Sequence, residues 1–448
     1  EVTVTGGAGC AEVTSYGANT DGNNQYYDDI RFRALRHYAK ATPATAFGNT
    51  TSFYICGTGI GDYCEAVDCL SVNSSDNVFE VGMMRRVLVD RVRGVNSYLG
   101  GFTLRNTHST TAFGTTWNPA EQEIIFNNCS VEINAAATAA ATTGAAHRFL
   151  LPILDTNGGA WGTVKVIDAL YRSEGELYSK GAGSGNTNPF ITTNGSPFLR
   201  FEIIRPRVHL KNYTADGTSS GLYLINLGSS TAGASALIRD ANIKIEGFAA
   251  TTTVGFFPSL IVLEGADSTY IVDNVTVDMN AWSVASGSAR IVQATGGTMR
   301  GSVRGLNVRS GNITGASYRI FDFSGTNVDL LFTITDCDFS KSGNPSADVN
   351  LGTNGQRVRV RDCRLKNAPT SVTTGGVSAS PWTYANSTPY WQEVYMTGGT
   401  VSLVERSDAN GGGFVDTTRT SGTWMIPPGA QLRITYTAAP SVKLTPVV

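Results

Sequence analysis

Val360-Arg361-Asp362-Cys363-Arg364-Leu365 repeats the plan of Ile334-Thr335-Asp336-Cys337-Asp338-Phe339, which lies 26 residues earlier. The plan is an apolar residue, any residue, Asp or Asn, one or two small or apolar residues, then another apolar residue. Toward the N-terminus it recurs at Ile271-Val272-Asp273-Asn274-Val275, Ile238-Arg239-Asp240-Ala241-Asn242-Ile243, Val166-Ile167-Asp168-Ala169-Leu170 and Phe126-Asn127-Asn128-Cys129-Ser130-Val131. Degenerate copies, Ile204-Arg205-Pro206-Arg207-Val208 and Val303-Arg304-Gly305-Leu306-Asn307-Val308, fill the gaps. The repeated position therefore falls at 128, 168, 205, 240, 273, 305, 336 and 362, with steps of 40, 37, 35, 33, 32, 31 and 26 by subtraction.

Steps of this size without sequence identity mark stacked supersecondary units. Each unit has short β-branched runs and Gly/Ser/Asn/Thr turns. Alone it cannot bury an apolar face, but stacked units share one long core. The reading is an all-β chain: a right-handed, single-stranded parallel β-helix whose coils shrink toward the C-terminus. Asp or Asn at a fixed place suits a tight corner, where the side chain bonds its own backbone and stacks on the copy above. The competing reading is a β-sandwich with chance spacing.

The bulk composition agrees. The 448 residues include 50 Gly and only 16% charged residues, with a net charge of −2. That charge gives no electrostatic case for nucleic acid or an anionic membrane. No run approaches the roughly 18 apolar residues that span a bilayer, and the tract 135–146 is interrupted by Thr and Gly. No signal peptide is visible, and the sequence starts at Glu1 without Met, as expected of one that begins inside a longer gene product or after processing.

Of seven cysteines, Cys129, Cys337 and Cys363 stand beside the repeated Asp/Asn, which predicts inward, unpaired thiols stacked along the core. Cys56, Cys64 and Cys69 form a separate cluster. A zinc site would want four closely spaced Cys/His ligands, and only His37 is near, so the expectation is no metal, no cofactor, and one disulfide within the cluster or with Cys10. A disulfide favours an extracellular setting.

The N-terminal segment reads as a lead-in strand, Val13-Thr14-Ser15-Tyr16-Gly17-Ala18, a turn at Asp21-Gly22, then a short helix over 28–41. Asp28 or Asp29 would be its N-cap, with Ile30, Leu35 and Tyr38 facing inward. This frame resembles the opening of the pectate-lyase-like β-helices of bacteriophage tailspikes and related polysaccharide-degrading enzymes, where the helix plugs the first coil. Here five residues, 23–27, separate the turn from the acidic pair, longer than the usual polar link. Toward the other end, Gly422-Thr423-Trp424-Met425-Ile426-Pro427-Pro428-Gly429 resembles small C-terminal β-domains of phage fibres and spikes. The expected organisation is a lead-in and cap over 1–50, a β-helix over 51–367, a linker over 368–389 and a β-sandwich-like domain over 390–448.

The resemblance implies a virion tailspike outside the cell: a homotrimer that binds a bacterial surface polysaccharide, possesses or lacks depolymerase activity, and contacts other tail or baseplate proteins, without nucleic acid or membrane insertion. The alternatives are a secreted polysaccharide lyase or glycoside hydrolase, and a purely structural or adhesive virion protein. Glycosidases place two carboxylates roughly 5–9.5 Å apart. Residues i and i+2 of one strand meet that need, which singles out Glu174 and Glu176 as the catalytic pair. Asp336/Asp338 has the same spacing, but Asp336 already has a corner role. Asp278 and Asp322 lie among apolar strand residues and are expected to face out, forming a sugar groove with Trp282, Tyr270 and Tyr318, whose rings suit stacking. A lyase would instead need a basic residue near a uronate. Arg205, Arg207 and His209 alternate on what reads as one strand face, as do Arg359 and Arg361, though such stripes also serve solubility.

Overall fold

The computed structural model describes residues 2–5, 11–15, 26–39, 51–74, 77–97, 100–106, 118–135, 148–154, 160–175, 190–193, 197–212, 214–215, 221–229, 231–250, 257–265, 267–280, 282–283, 288–296, 299–314, 317–324, 330–351, 358–367, 371–374, 377–407 and 413–447.

Three of the repeated motifs explain the architecture. Asn128, Asp168 and Arg205 each have a left-handed backbone, with φ of 51°, 53° and 52°. Such a residue turns the chain sharply between two strands, and Asn and Asp tolerate it best after Gly. The same corner recurs at Ala34, Asp68, Arg91, Asp240, Asn274, Gly305, Asp336 and Asp362. Hydrogen bonds then lock the corners on one another. The corner amide donates to the following coil, as Asn128 N does to Ile167 O at 3.0 Å and Asp168 N to Ile204 O at 3.0 Å. Two residues on, the amide donates back, as Leu170 N does to Cys129 O at 2.9 Å.

This alternation produces a parallel β-helix. The strands that follow the corners form an 11-stranded parallel sheet, the post-corner face. Strands that precede the corners, such as Trp161–Ile167, Phe198–Ile204 and Ser235–Arg239, pair in register to make the pre-corner face. A third face runs through Gly221–Ser229, Phe257–Gly265, Ser288–Thr295 and Ser317–Asp322. A narrow strip, Thr214–Ala215, Phe248–Ala250, Trp282–Ser283 and Ile313–Thr314, lies between the post-corner and third faces in chain order.

Side chains alternate along each strand, so one set fills a single continuous core. Phe102, Phe126, Phe149 and Phe190 form an aromatic column there, with successive contacts of Phe102 to Phe126 at 5.2 Å, Phe102 to Phe149 at 5.1 Å and Phe149 to Phe190 at 5.2 Å between ring centroids. The residue after each corner also points inward: Cys69, Val92, Cys129, Ala169, Ala241, Val275, Leu306, Cys337 and Cys363 are all buried. The expected unpaired thiols at 129, 337 and 363 are thus observed. Cys64 and Cys69 are free as well, which removes them from the expected disulfide. Cys69 is simply the inward residue after the Asp68 corner. The side chains of Cys10 and Cys56 lie outside the described residues.

The expected N-terminal helix is absent. Tyr26–Arg33 and Leu35–Tyr38 are strands that pair with Phe53–Val67 and Leu70–Val72. Ile30, Phe32, Leu35 and His37 satisfy period two on either side of the Ala34 corner, so stacking on the next coil outweighs local helical propensity. Tyr38, expected inside, is 38% exposed. A second correction moves one corner from Asp273 to Asn274, because Arg239 is in register with Asp273 and Asp240 therefore matches Asn274. The corner carboxylates also bond across coils rather than to their own backbone: Arg205 donates to both oxygens of Asp168 at 2.8 Å, and Asn274 Nδ2 to Asp240 Oδ1 at 2.7 Å.

These geometries predict the outcome of corner substitutions. Asp168→Ala should lower stability by about 1–2 kcal/mol, since a Cβ without a local acceptor is strained at positive φ and the Arg205 pair is lost. Asp168→Gly should cost less, and urea titration separates the two.

Residues 372–447 form two four-stranded antiparallel sheets. One holds Val372–Thr374, Trp391–Thr397, Gly422–Ile426 and Ser441–Val447. The other holds Trp382–Ala385, Thr400–Ser407, Val415–Asp416 and Gln431–Ala438. Val394, Val404, Ile426, Leu432, Ile434 and Val442 pack between them. The stretch 368–389 contributes two of these strands, and Val360 N donates to Pro389 O at 2.9 Å, tying the last coil to this unit.

Candidate functional site

The post-corner face carries a graded set of polar side chains because its strands are short and alternate strictly. In Leu170–Glu174, Arg207–Lys211 and Asn242–Glu246, the buried positions are Tyr171 and Ser173, Val208 and Leu210, and Ile243 and Ile245. The intervening residues face outward. Register places Arg172 beside His209 and His209 beside Lys244, then Asp278 and Arg309 on the next two coils. A parallel row holds Glu174, Lys211 and Glu246. Neighbouring rungs are roughly 4.8 Å apart.

Charge pairing organises this patch. Lys211 Nζ lies 2.6 Å from Glu174 Oε1, Lys244 Nζ 2.5 Å from Glu246 Oε1, and His209 Nε2 2.8 Å from Glu246 Oε2. The Lys211 hydrogen bond holds the Glu174 carboxyl below its ordinary range. Hydrogen bonds from Lys244 and His209 bring Glu246 down to about 2. Both glutamates are therefore carboxylates across the working pH range. Arg172, Arg207 and Arg309 are exposed and have no ion-pair partner among the described residues.

Several sequence expectations change here. Glu174 closes its strand, and Gly175 follows with φ of 98°. Glu176 itself lies outside the described residues, as does the side chain of Trp282. Asp278 is exposed as expected, between Lys244 and Arg309 in register. Tyr270 and Tyr318 are each 1% exposed and pack in the core, so neither ring is offered to a ligand. Tyr270 Oη is spent on backbone carbonyls, with Leu227 O at 3.3 Å. Arg205 is a corner residue held by Asp168, leaving Arg207 and His209 on the strand face.

Asp322 departs most from expectation. It is 3% exposed, on the outward side of the third face but covered. Arg290 Nε donates to its Oδ2 at 2.5 Å and Arg319 donates at 2.9 Å, while Asn350 Nδ2 and Ser324 Oγ donate to Oδ1 at 2.8 and 2.6 Å. Burial would raise this carboxyl, but the Ser324 and Arg290 interactions outweigh it and hold the group far below its usual range. Two other acids move the opposite way. Glu264, half-buried on the third face with Thr295 Oγ1 at 3.2 Å, is raised by burial. Asp348, 3% exposed and bonded to Asn367 N at 2.7 Å, is raised for the same reason. A raised folded-state value means stability present at low pH that fades as pH climbs through the ordinary Asp range toward the folded value. Between pH 3 and 7, the melting temperature of Asp348→Asn should therefore gain steadily on that of the unsubstituted chain; a constant difference would contradict this.

Among the described residues, no cluster of three or more His, Cys, Asp or Glu is placed to hold a metal ion. No helix of the described residues is long and apolar enough to cross a membrane. No family model and no curated protein matches the chain.

Proposed function

We propose that the chain is the body of a receptor-binding spike of the phage tailspike type, a right-handed β-helix that recognises a bacterial surface polysaccharide along its flank. The observation that supports this reading is the in-register row Arg172, His209, Lys244, Asp278 and Arg309, continuous over five coils. A rigid ladder of hydrogen-bonding groups at regular spacing suits an extended glycan, since many weak contacts add along the chain while the protein loses little conformational freedom on binding.

The spike is a homotrimer in this reading. Support comes from the pre-corner face, whose outward side pairs Leu88 with Ile125, Ile167 with Ile204 and Leu237 with Ile271 across coils. Ile271 is 42% exposed and Leu331 on the same face 52% exposed. Outward aliphatic pairs interleaved with the charged Lys165, Glu202 and Arg300 suit a closed symmetric contact between copies. The other partners are tail or baseplate proteins of the virion, and the setting is extracellular.

Purified protein should bind polysaccharides extracted from bacterial surfaces in biolayer interferometry, with affinity rising with glycan length, and should run as a trimer in light scattering. Failure to bind any such polysaccharide leaves the second reading, a structural virion component with no ligand.

A further inference from the structure

The inward residues that follow the corners form one column along the core. In it Val92 separates Cys69 from Cys129, and Ala169 follows Cys129. Among the described residues two thiols succeed one another at one place only, the C-terminal end. Thr335 is in register with Arg361 and Asp338 with Arg364, so Cys337 lies directly over Cys363. Arg364 N donates to Cys337 O at 2.8 Å between them. The two corners match, with φ of 55° at Asp336 and 57° at Asp362. The thiols match as well: Cys337 Sγ is 3.2 Å from Thr335 O and Cys363 Sγ 3.2 Å from Arg361 O. Cys363 Sγ also lies 3.8 Å from Ile334 O, a carbonyl of the Cys337 coil. A rung spacing of roughly 4.8 Å falls inside the window of about 4.4–6.8 Å that disulfides span between Cα atoms. Among the described residues Val358–Arg361 has a parallel partner on one side only, Leu330–Thr335. The last coil can therefore close on its neighbour without compressing a third.

The two thiols are not equivalent. Cys337 is 2% exposed and Cys363 9%. Cys337 donates its thiol hydrogen to Cys363, which holds Cys363 below the ordinary thiol range and raises Cys337. The thiolate is the attacking species in disulfide exchange, so Cys363 reacts first. Elsewhere burial works against reaction: it pushes Cys64 up and takes Cys129 to about 12. The residues stacked on Cys64 are Ile30 and Val87, and none of these neighbours is a thiol.

We propose that Cys337 and Cys363 are an oxidisable pair that takes a low-molecular-weight disulfide as substrate and closes into a bond joining the last two coils. This goes beyond the glycan-binding reading and does not depend on it. The Cys363 thiolate attacks one sulfur of the small disulfide. A new S–S bond forms as the old one breaks, and one small thiolate leaves with the electron pair. Cys337 gives its proton to that thiolate and attacks the Cys363 sulfur, displacing the second small thiolate, which takes a proton from solvent. Two protein thiols are oxidised and one small disulfide is reduced to two thiols. The closed loop spans the 26 residues from 337 to 363 by subtraction. Val360 N donates to Pro389 O on this coil, and Tyr390 is buried in the same core. The bond thus fixes the footing of the C-terminal unit. It is the form suited to an oxidising extracellular setting, and the dithiol is the form suited to a reducing cytosol.

The test exposes the folded full chain to oxidised glutathione, quenches it in acid denaturant, alkylates the remaining thiols and maps the peptides. Cys337 and Cys363 should be recovered as one cross-linked pair that dithiothreitol releases, while Cys64, Cys69 and Cys129 stay alkylated. Ala occupies the same column at 169 and 241, so Cys337→Ala and Cys363→Ala keep its packing. Cys337→Ala should stop at a mixed glutathione disulfide on Cys363. Cys363→Ala should slow consumption of Cys337 by about 10-fold or more. The oxidised chain should melt above the reduced one, and neither variant should show that shift. Full alkylation of both cysteines after prolonged exposure, glutathione on each without a bond between them, or equally fast loss of Cys129 overturns the proposal.

Discussion

Asp322→Ala is expected to destabilise the β-helix by about 3–5 kcal/mol, the cost of stripping one partner from a buried charge pair. The substitution removes the carboxylate that Arg290, whose side chain is only 14% accessible, shares with Arg319. It also frees Asn350 and Ser324 from their shared acceptor. Thermal or urea unfolding measures the effect, and a cost below about 1 kcal/mol, the size of an exposed pair, would show that the site is wetter than its burial indicates. The pH dependence has a definite sign. The folded-state carboxyl titrates below its unfolded value, so the stabilisation is complete above the ordinary Asp range. It is lost as pH falls through that range toward the depressed folded value. Asp322→Ala should therefore lose most relative to the unsubstituted protein at neutral pH and progressively less in acid.

The second large effect concerns the ligand. Reversing charge at two rungs, Arg172→Glu with Lys244→Glu, should weaken binding of an acidic polysaccharide by about 100-fold or more, because charged hydrogen bonds contribute roughly 1.5–3 kcal/mol each and 1.4 kcal/mol is tenfold. Arg300→Glu, equally exposed but on the pre-corner face, is the control and should leave affinity unchanged. Raising ionic strength should weaken binding to the unsubstituted protein more than to the doubly reversed one. Equal affinity of the two proteins for every acidic glycan would place the ligand elsewhere.

The stacking was legible because a corner at positive φ selects few residue types. Asp and Asn mark most corners, and the inward residue after them is Cys, Ala, Val or Leu. Ala34 and Arg91 carry no such mark, which is why a strand–corner–strand at the N-terminus resembled an amphipathic helix: Ile30, Leu35 and Tyr38 fit a helical face, while Ile30, Phe32 and His37 fit two strands. Asp68-Cys69 did carry the mark, and its Cys is inward like the others rather than part of a disulfide. The candidate site was harder to read. Alternation tells which residues leave the strand on one side, but not which outward residues another layer covers. Asp322 and Glu264 belong to this class. Tyr270 and Tyr318 fail for a related reason, since a large ring between polar residues fits a wide core as well as a groove. His209 was visible as an outward residue; its importance rests on Glu246, 37 residues later, and that partnership appears only once coil register is known.

Since every coil meets its neighbours through the same corner geometry, the molecule can change length without changing its cross-section. Excising the 34 residues from Asp240 to just before Asn274 would bring together two backbones of matching direction and φ. A shaft built this way grows or shortens in steps of one coil, roughly 4.8 Å. Descendants of such a gene could adjust reach by duplicating or losing a single exchangeable segment, while the surfaces at either end stay as they were.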